Sequence, residues 1–366
     1  MKLKLERKEI IILSLLLFSI FTFSIYIIFF VNLGAPFYFS FPEGNEEIKI
    51  RGLTSHIPSG AFQMPRLARL AGANFYQIKA FFMIKSNGEC FTLPGQKAWL
   101  KDQIRKAHRA GLKVLLVPFG FLKGISMTSD IRLPRSLWDK FYSCFTKETL
   151  FWARFAQKEK VEMITTANEP YRFTNMKSMS KWLQEILPKL RKVYKGKIAV
   201  GFYPSLHNFV GEFRSGQKSE KDFEEILNLN VKGYDFLAPA GTPSGINSIE
   251  EMKKVNKEVL KRLKKIYDKW KIKFFFLEVN APESTREEFW QTYLKKGMKR
   301  GEIRAMVFRK WAEDFKNISF VEGWFFIEWT PNSFLTFFET NPPDKKYTLG
   351  WQGSEVIRAI KEIYIK

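Results

Sequence analysis

From residue 48 onward the chain repeats one unit: a short apolar or β-branched run, then a longer stretch where apolar residues recur at helical spacing among Lys and Glu. The short runs predict strands over 48–53, 74–80, 113–119, 161–166, 198–202, 234–238, 273–279 and 323–328. Several are near-continuous apolar runs, as parallel strands buried on both faces require. The longer stretches predict helices over 62–71, 96–110, 136–157, 177–194, 220–229, 249–270, 286–315 and 355–364. In the second of these, Trp99, Leu100, Ile104, Ala107, His108 and Leu112 form one stripe,. Gly111 closes that helix as a residue able to take positive φ, and the next strand starts at Lys113,. Eight strand–helix units over 48–366 predict a single (β/α)8 TIM barrel,. No G-x-G-x-x-G follows the first strand, so a dinucleotide-binding sheet lacks its phosphate loop,.

The pattern before residue 48 is different. Residues 10–31 carry no charged side chain, and as a helix they span about 33 Å, enough to cross a bilayer core,. Lys2, Lys4, Arg7 and Lys8 precede this run, and no Lys or Arg follows it until Lys49. The positive-inside rule then predicts a cytoplasmic basic tail over 1–9, a signal-anchor helix over 10–31 and everything beyond on the outside. Secretion after signal cleavage is the alternative; no clear small-x-small cleavage site is seen near Val31-Asn32-Leu33-Gly34,. Gly34, Pro36, Pro42 and Gly44 make 32–47 a linker,.

Composition narrows the function classes. The chain has 45% hydrophobic and 16% aromatic residues, which excludes disorder,. Two Cys and three His exclude zinc ribbons and His-rich metal sites, and no cofactor motif is present,. Cys90 and Cys144 can pair only if the fold brings them together. The net charge of +23 invites a nucleic-acid partner, but the basic residues are dispersed and mostly Lys,. A Lys-rich solvated surface with no nucleic acid is the simpler reading, with an acidic polymer or anionic membrane surface as the alternative.

Barrel strands present functional groups just past their C-terminal ends. The fourth predicted strand ends in Asn168-Glu169-Pro170 and the seventh in Leu277-Glu278-Val279. Burial raises the pKa of a carboxylate at such a place unless it is paired. Two carboxylates on facing sides of the mouth, about 5 Å apart, are the layout for retaining glycoside hydrolysis. Glu328, at the end of the eighth strand, competes as nucleophile and is otherwise a sugar-hydroxyl acceptor. His108 and Trp324 read as structural.

This arrangement resembles the clan A glycoside hydrolases, the superfamily of many cellulases, β-mannanases and β-galactosidases. The resemblance covers 48–366 and rests on Asn168-Glu169-Pro170, Glu278 109 residues later, and the aromatic-rich eighth strand. It implies Glu169 as acid/base, Glu278 as nucleophile, and Asn168 as a hydrogen-bonding partner of the sugar 2-hydroxyl or the nucleophile. It also implies Trp329 as the floor of the cleavage subsite. Members carry His or Arg at the ends of strands one to three; here strand three ends Val117-Pro118-Phe119-Gly120, and His56 after strand one is the stand-in. The sixth strand ends apolar, leaving Tyr203 or His207 to replace the usual Tyr or His near the nucleophile. The expectation is a membrane-anchored retaining hydrolase of β-linked oligo- or polysaccharide that needs no cofactor. A non-catalytic glycan-binding barrel and a transglycosylase are the alternatives.

Overall fold

The computed structural model describes residues 44, 46–54, 64–122, 133–168, 170–202, 223–241, 246–279, 287–326 and 354–365. The proposed tail, anchor and most of the linker lie outside these residues. Among the described residues no helix is long and apolar enough to cross a membrane.

Nine strands form one sheet: β1 (Ile50–Thr54), β2 (Phe75–Ile84), β3 (Cys90–Thr92), β4 (Lys113–Leu122), β5 (Met163–Thr165), β6 (Lys197–Phe202), β7 (Phe236–Pro239), β8 (Lys273–Val279) and β9 (Val321–Phe326). All except β3 pair in parallel, and β1 pairs with both β2 and β9, so eight strands close into a barrel. The helices are α1 (Met64–Leu70), α2 (Gln96–Arg109), α3 (Trp138–Lys158), α4 (Pro170–Phe173), α5 (Met176–Val193), α6 (Ile249–Trp270), α7 (Glu287–Leu294), α8 (Arg300–Phe315) and α9 (Ser354–Ile365); residues 223–227 are also helical. The (β/α)8 reading of the alternating pattern therefore holds.

Two apolar cores explain why the strands read as unbroken hydrophobic runs. Leu115 and Val117 of β4 point into the barrel with Ile50, Phe75, Met163, Phe275 and Phe325. Val114 and Leu116, one residue out of phase, pack against the helices,. The joint after α2 is as expected: Gly111 has φ 72°, and the Leu112 N–H bonds the Ala107 carbonyl at 3.0 Å,. Trp324 is fully buried, and His108 sits 3.3 Å from the Glu162 carboxylate, so both are structural.

Two expectations need correction. The run 286–315 is not one helix. It breaks after Leu294 at Gly297, φ 80°, and the Glu302 carboxylate accepts the Lys299 N–H at 2.7 Å to start α8. Apolar periodicity survives such a break because both helices cover the same barrel wall. The hairpin strand β3 was also not expected, since three residues carry no periodic signal. It runs antiparallel to the end of β2 and places Cys90 and Cys144 in a disulfide, Cα atoms 5.8 Å apart, that ties the hairpin to α3,.

Carboxylates at the N-terminal end of the barrel lock the strand starts. Asp235 accepts the Ile198 N–H at 2.9 Å and pairs with Arg191 at 2.7 Å and Lys197 at 2.9 Å. Burial alone would raise its carboxyl; these donors outweigh burial and hold it below the ordinary value,. A depressed native pKa stabilises above the unfolded carboxylate range, and the benefit is lost as pH falls through the native value. Asp235→Asn should therefore lower stability by about 1–2 kcal/mol near pH 7. Urea midpoints for the variant and the parent should converge as the pH falls toward about 3; an equal gap at both pH values would refute the linkage.

Candidate active site

The seventh barrel strand, β8, carries Glu278 where simple alternation would turn it away from the axis. Phe274 and Phe276 face the helices, while Phe275 and Leu277 face inward. Continued alternation would send Glu278 outward. The pairing with β9 slips there: Phe276 lies opposite Trp324 and Val279 opposite Phe326, so β8 holds one extra residue. This bulge puts Val279 back on the helix side and frees Glu278 to turn inward,. Its backbone is held by the segment just past β7, with the Gly241 N–H bonding the Glu278 carbonyl at 2.6 Å.

Inside the barrel Glu278 meets Lys79 of β2 in an ion pair. Lys79 shares the inward face with Phe75, and its ammonium lies 5.1 Å from the centre of the Phe119 ring,. The side chains are 3% and 7% exposed, so both charges are essentially dry. Burial pushes the Glu278 carboxyl above its ordinary value, while the Lys79 charge and hydrogen bond pull it back,. A dry carboxylate backed by an ammonium is poised to act as a base or nucleophile at the mouth.

Asn168 follows β5. Thr166 N–H bonds the Ala199 carbonyl at 2.9 Å and Asn168 N–H bonds the Pro118 carbonyl at 3.1 Å, so the strand end is stitched to both neighbours. The Asn168 side chain lies over Gly201, where a Cβ would come within 1.9 Å of its Oδ1. That close approach requires glycine. Its carboxamide is buried and has no hydrogen-bond partner among the described residues, as is true of Gln77 on the inward face of β2. A buried amide left without a partner is costly, so such groups await one.

Glu169, the expected partner of Glu278, lies outside the described residues. So do His56, Tyr203, His207, Glu328 and Trp329. Lys79 was missed in the sequence. Its signal was present in Phe75-Tyr76-Gln77-Ile78-Lys79-Ala80: Gln and Lys alternate with apolar residues, and on a strand covered by helices such a face must point to the axis,. Lys79 supplies a cation from the middle of a barrel strand before the fourth, where His56 past the first strand was the expected stand-in. Among the described residues no group of three or more His, Cys, Asp or Glu could hold a metal ion.

Comparison with known proteins decides the family. The sequence profile of Glycoside Hydrolase Family 113 matches residues 95–350. The chain belongs to Glycoside Hydrolase Family 113. No curated protein matches it in sequence. Among solved structures, a family 113 β-1,4-mannanase is similar at 17% identity, with a TM-score of 0.64 over 86% of this chain and 98% of that one. The family 113 β-mannanase AaManA of Alicyclobacillus acidocaldarius, in complex with ManMIm, matches at 15% identity and TM-score 0.57, covering 86% and 97%. A broad-specificity endoglucanase from an uncultured bacterium matches at 8% identity and TM-score 0.61, covering 87% and 95%. At these identities the structural likeness speaks for the barrel, and family membership makes the protein a glycoside hydrolase of the retaining clan A.

For the family 113 chain the Lys79–Glu278 pair makes a specific demand. Lys79→Met removes the cation that opposes desolvation, so the Glu278 carboxyl should rise further. The acidic limb of the kcat/KM pH profile should move to higher pH, and Lys79→Arg should restore part of the shift. An unmoved limb in a folded Lys79→Met variant would show that the ammonium does not set the charge of Glu278.

Proposed function

We propose that the protein is a membrane-anchored retaining β-glycanase whose catalytic barrel lies outside the cell, with β-1,4-linked mannan as its substrate class. The observation that carries the mechanism is the bulged, buried Glu278 backed by Lys79 at the mouth of a family 113 barrel. The mannan assignment draws on the similar proteins, two of which are named as β-mannanases.

In this reading the Glu278 carboxylate attacks the anomeric carbon while Glu169 gives its proton to the departing glycosidic oxygen. Glu169 then takes a proton from water, which displaces Glu278 and restores the original anomeric configuration. Lys79 keeps Glu278 ionised before attack and stabilises it again as the leaving carboxylate. The Asn168 carboxamide donates to the sugar 2-hydroxyl or to the nucleophile. Trp329 supplies an aromatic floor, and His56, Tyr203, His207 and Glu328 contact sugar hydroxyls. No cofactor is needed for two carboxylates to serve an oxocarbenium-like transition state.

The two carboxylates should fail differently. Glu278→Ala should abolish turnover of every substrate, and azide should at best give the inverted adduct. Glu169→Ala should hurt most with poor leaving groups and least with activated aryl-mannosides, with azide restoring product of retained configuration. On unactivated mannan each loss should exceed roughly a hundredfold. Near-parental rates in both variants would place the chemistry elsewhere, with Glu328 next in line. Sugar binding without turnover by the parent would make the barrel a glycan-binding module.

The topology rests on the uncharged run 10–31 and its basic N-terminal flank,. The Cys90–Cys144 disulfide also supports an oxidising surrounding,. Protease added to intact cells should digest the barrel while it remains with the membrane fraction. Protection until lysis would reverse the orientation, and a mature N-terminus near Gly34 would show a cleaved signal.

A further inference from the structure

The N-terminal end of the barrel, opposite the mouth, carries a regular ring of charge. At six successive joints leading into β4 through β9 an exposed lysine stands at the strand start or within about five residues before it: Lys113, Lys160, Lys195, Lys232, Lys271 and Lys316, the last at the end of α8. The acidic residues on the same end are engaged in holding the fold. Glu162 accepts the Val114 N–H at 2.7 Å, and Asp235 the Ile198 N–H at 2.9 Å. Glu322, at the other register slip between β8 and β9, is held by Lys49 and Lys273. Asp268 pairs with Lys264 at 2.7 Å and with Lys271 of the ring at 3.7 Å; the other five ring lysines have no acidic partner among the described residues, so the ring's excess is positive toward solvent. The chain also enters the barrel at this end, through Lys49 into Ile50.

We propose that this lysine ring is a docking surface for anionic lipid headgroups. The proposal rests on the reading of 10–31 as a membrane anchor. Two features favour lipid over a soluble polyanion. A ring of flexible lysines suits a diffuse negative surface better than a shaped ligand, and the Arg191 fork at the same end is taken up by Asp235,. The apolar run 10–31, read as an anchor, also keeps the chain on a bilayer,. Each lysine near an anionic bilayer contributes about 1 kcal/mol, so six suffice to bias how the barrel sits even with a tether already in place. The consequence is a mouth turned away from the bilayer, toward polymer.

The test uses the full chain reconstituted into phosphatidylcholine vesicles with or without phosphatidylglycerol. A fluorophore is placed through Lys232→Cys on the ring or through Ser86→Cys in the turn at the opposite end of the barrel. A headgroup spin-labelled lipid should quench the Lys232 position several-fold more than the Ser86 position on phosphatidylglycerol vesicles. The difference should vanish in about 1 M salt, where the Debye length is ~3 Å. It should also vanish on pure phosphatidylcholine and in Lys195→Glu/Lys271→Glu. Equal quenching at both positions, with the chain still on the vesicles after an alkaline wash, overturns the ring and leaves the anchor standing. Quenching at Lys232 that is the same on phosphatidylcholine overturns the electrostatic basis. A chain released by alkali overturns the anchor, and the ring falls with it if that chain also fails to bind phosphatidylglycerol vesicles at low salt.

Discussion

A carboxylate can sit inside a barrel packed with Phe, Leu and Val only if something meets its charge. Glu278 meets that condition through Lys79, and much of the mouth follows from it,. The pair joins β2 to β8 across the interior, so it fixes which inward positions stay polar. It also explains the bulge in β8. Without the extra residue, Glu278 would press into the Phe274–Phe276 face, which packs on Trp311 and Phe315 of the helix layer. The backbone irregularity, the buried cation and the perturbed carboxyl are one device.

Polar groups at the two ends of the barrel serve different purposes. Near the strand starts, Glu162, Asp235 and Glu322 bond strand N–H groups or neighbouring cations, and these contacts hold registers. Past the end of β5, the Asn168 amide is buried with no hydrogen-bond partner among the described residues; so is Gln77, lower in the barrel near the start of β2. Strand-start carboxylates serve stability, while the open Asn168 amide past a strand end is placed for ligand recognition, the division that parallel barrels make,. The Cys90–Cys144 disulfide falls on the mouth side, where it ties a hairpin with little core of its own to α3.

Much of this was legible in the amino-acid sequence. Parallel strands buried on both faces write themselves as apolar runs, and amphipathic helices as stripes, so the strand–helix alternation and the barrel could be read directly. A strand-end carboxylate in an apolar run, such as Glu278, stands out because its burial must have a reason. Local chemistry also announced the αL joint at Gly111 and the structural character of His108 and Trp324. What only the tertiary structure decided depends on contacts between residues far apart in the chain. Lys79 and Glu278 are 199 positions apart, and no local pattern says that they meet. The direction of Glu278 was set by a slip in register against β9, which periodicity alone places on the wrong face. The meeting of Cys90 with Cys144 and the approach of Asn168 to Gly201 likewise arise from strand order and closure. Periodicity records which face of an element is dry; closure of the sheet decides which side chains share that dryness.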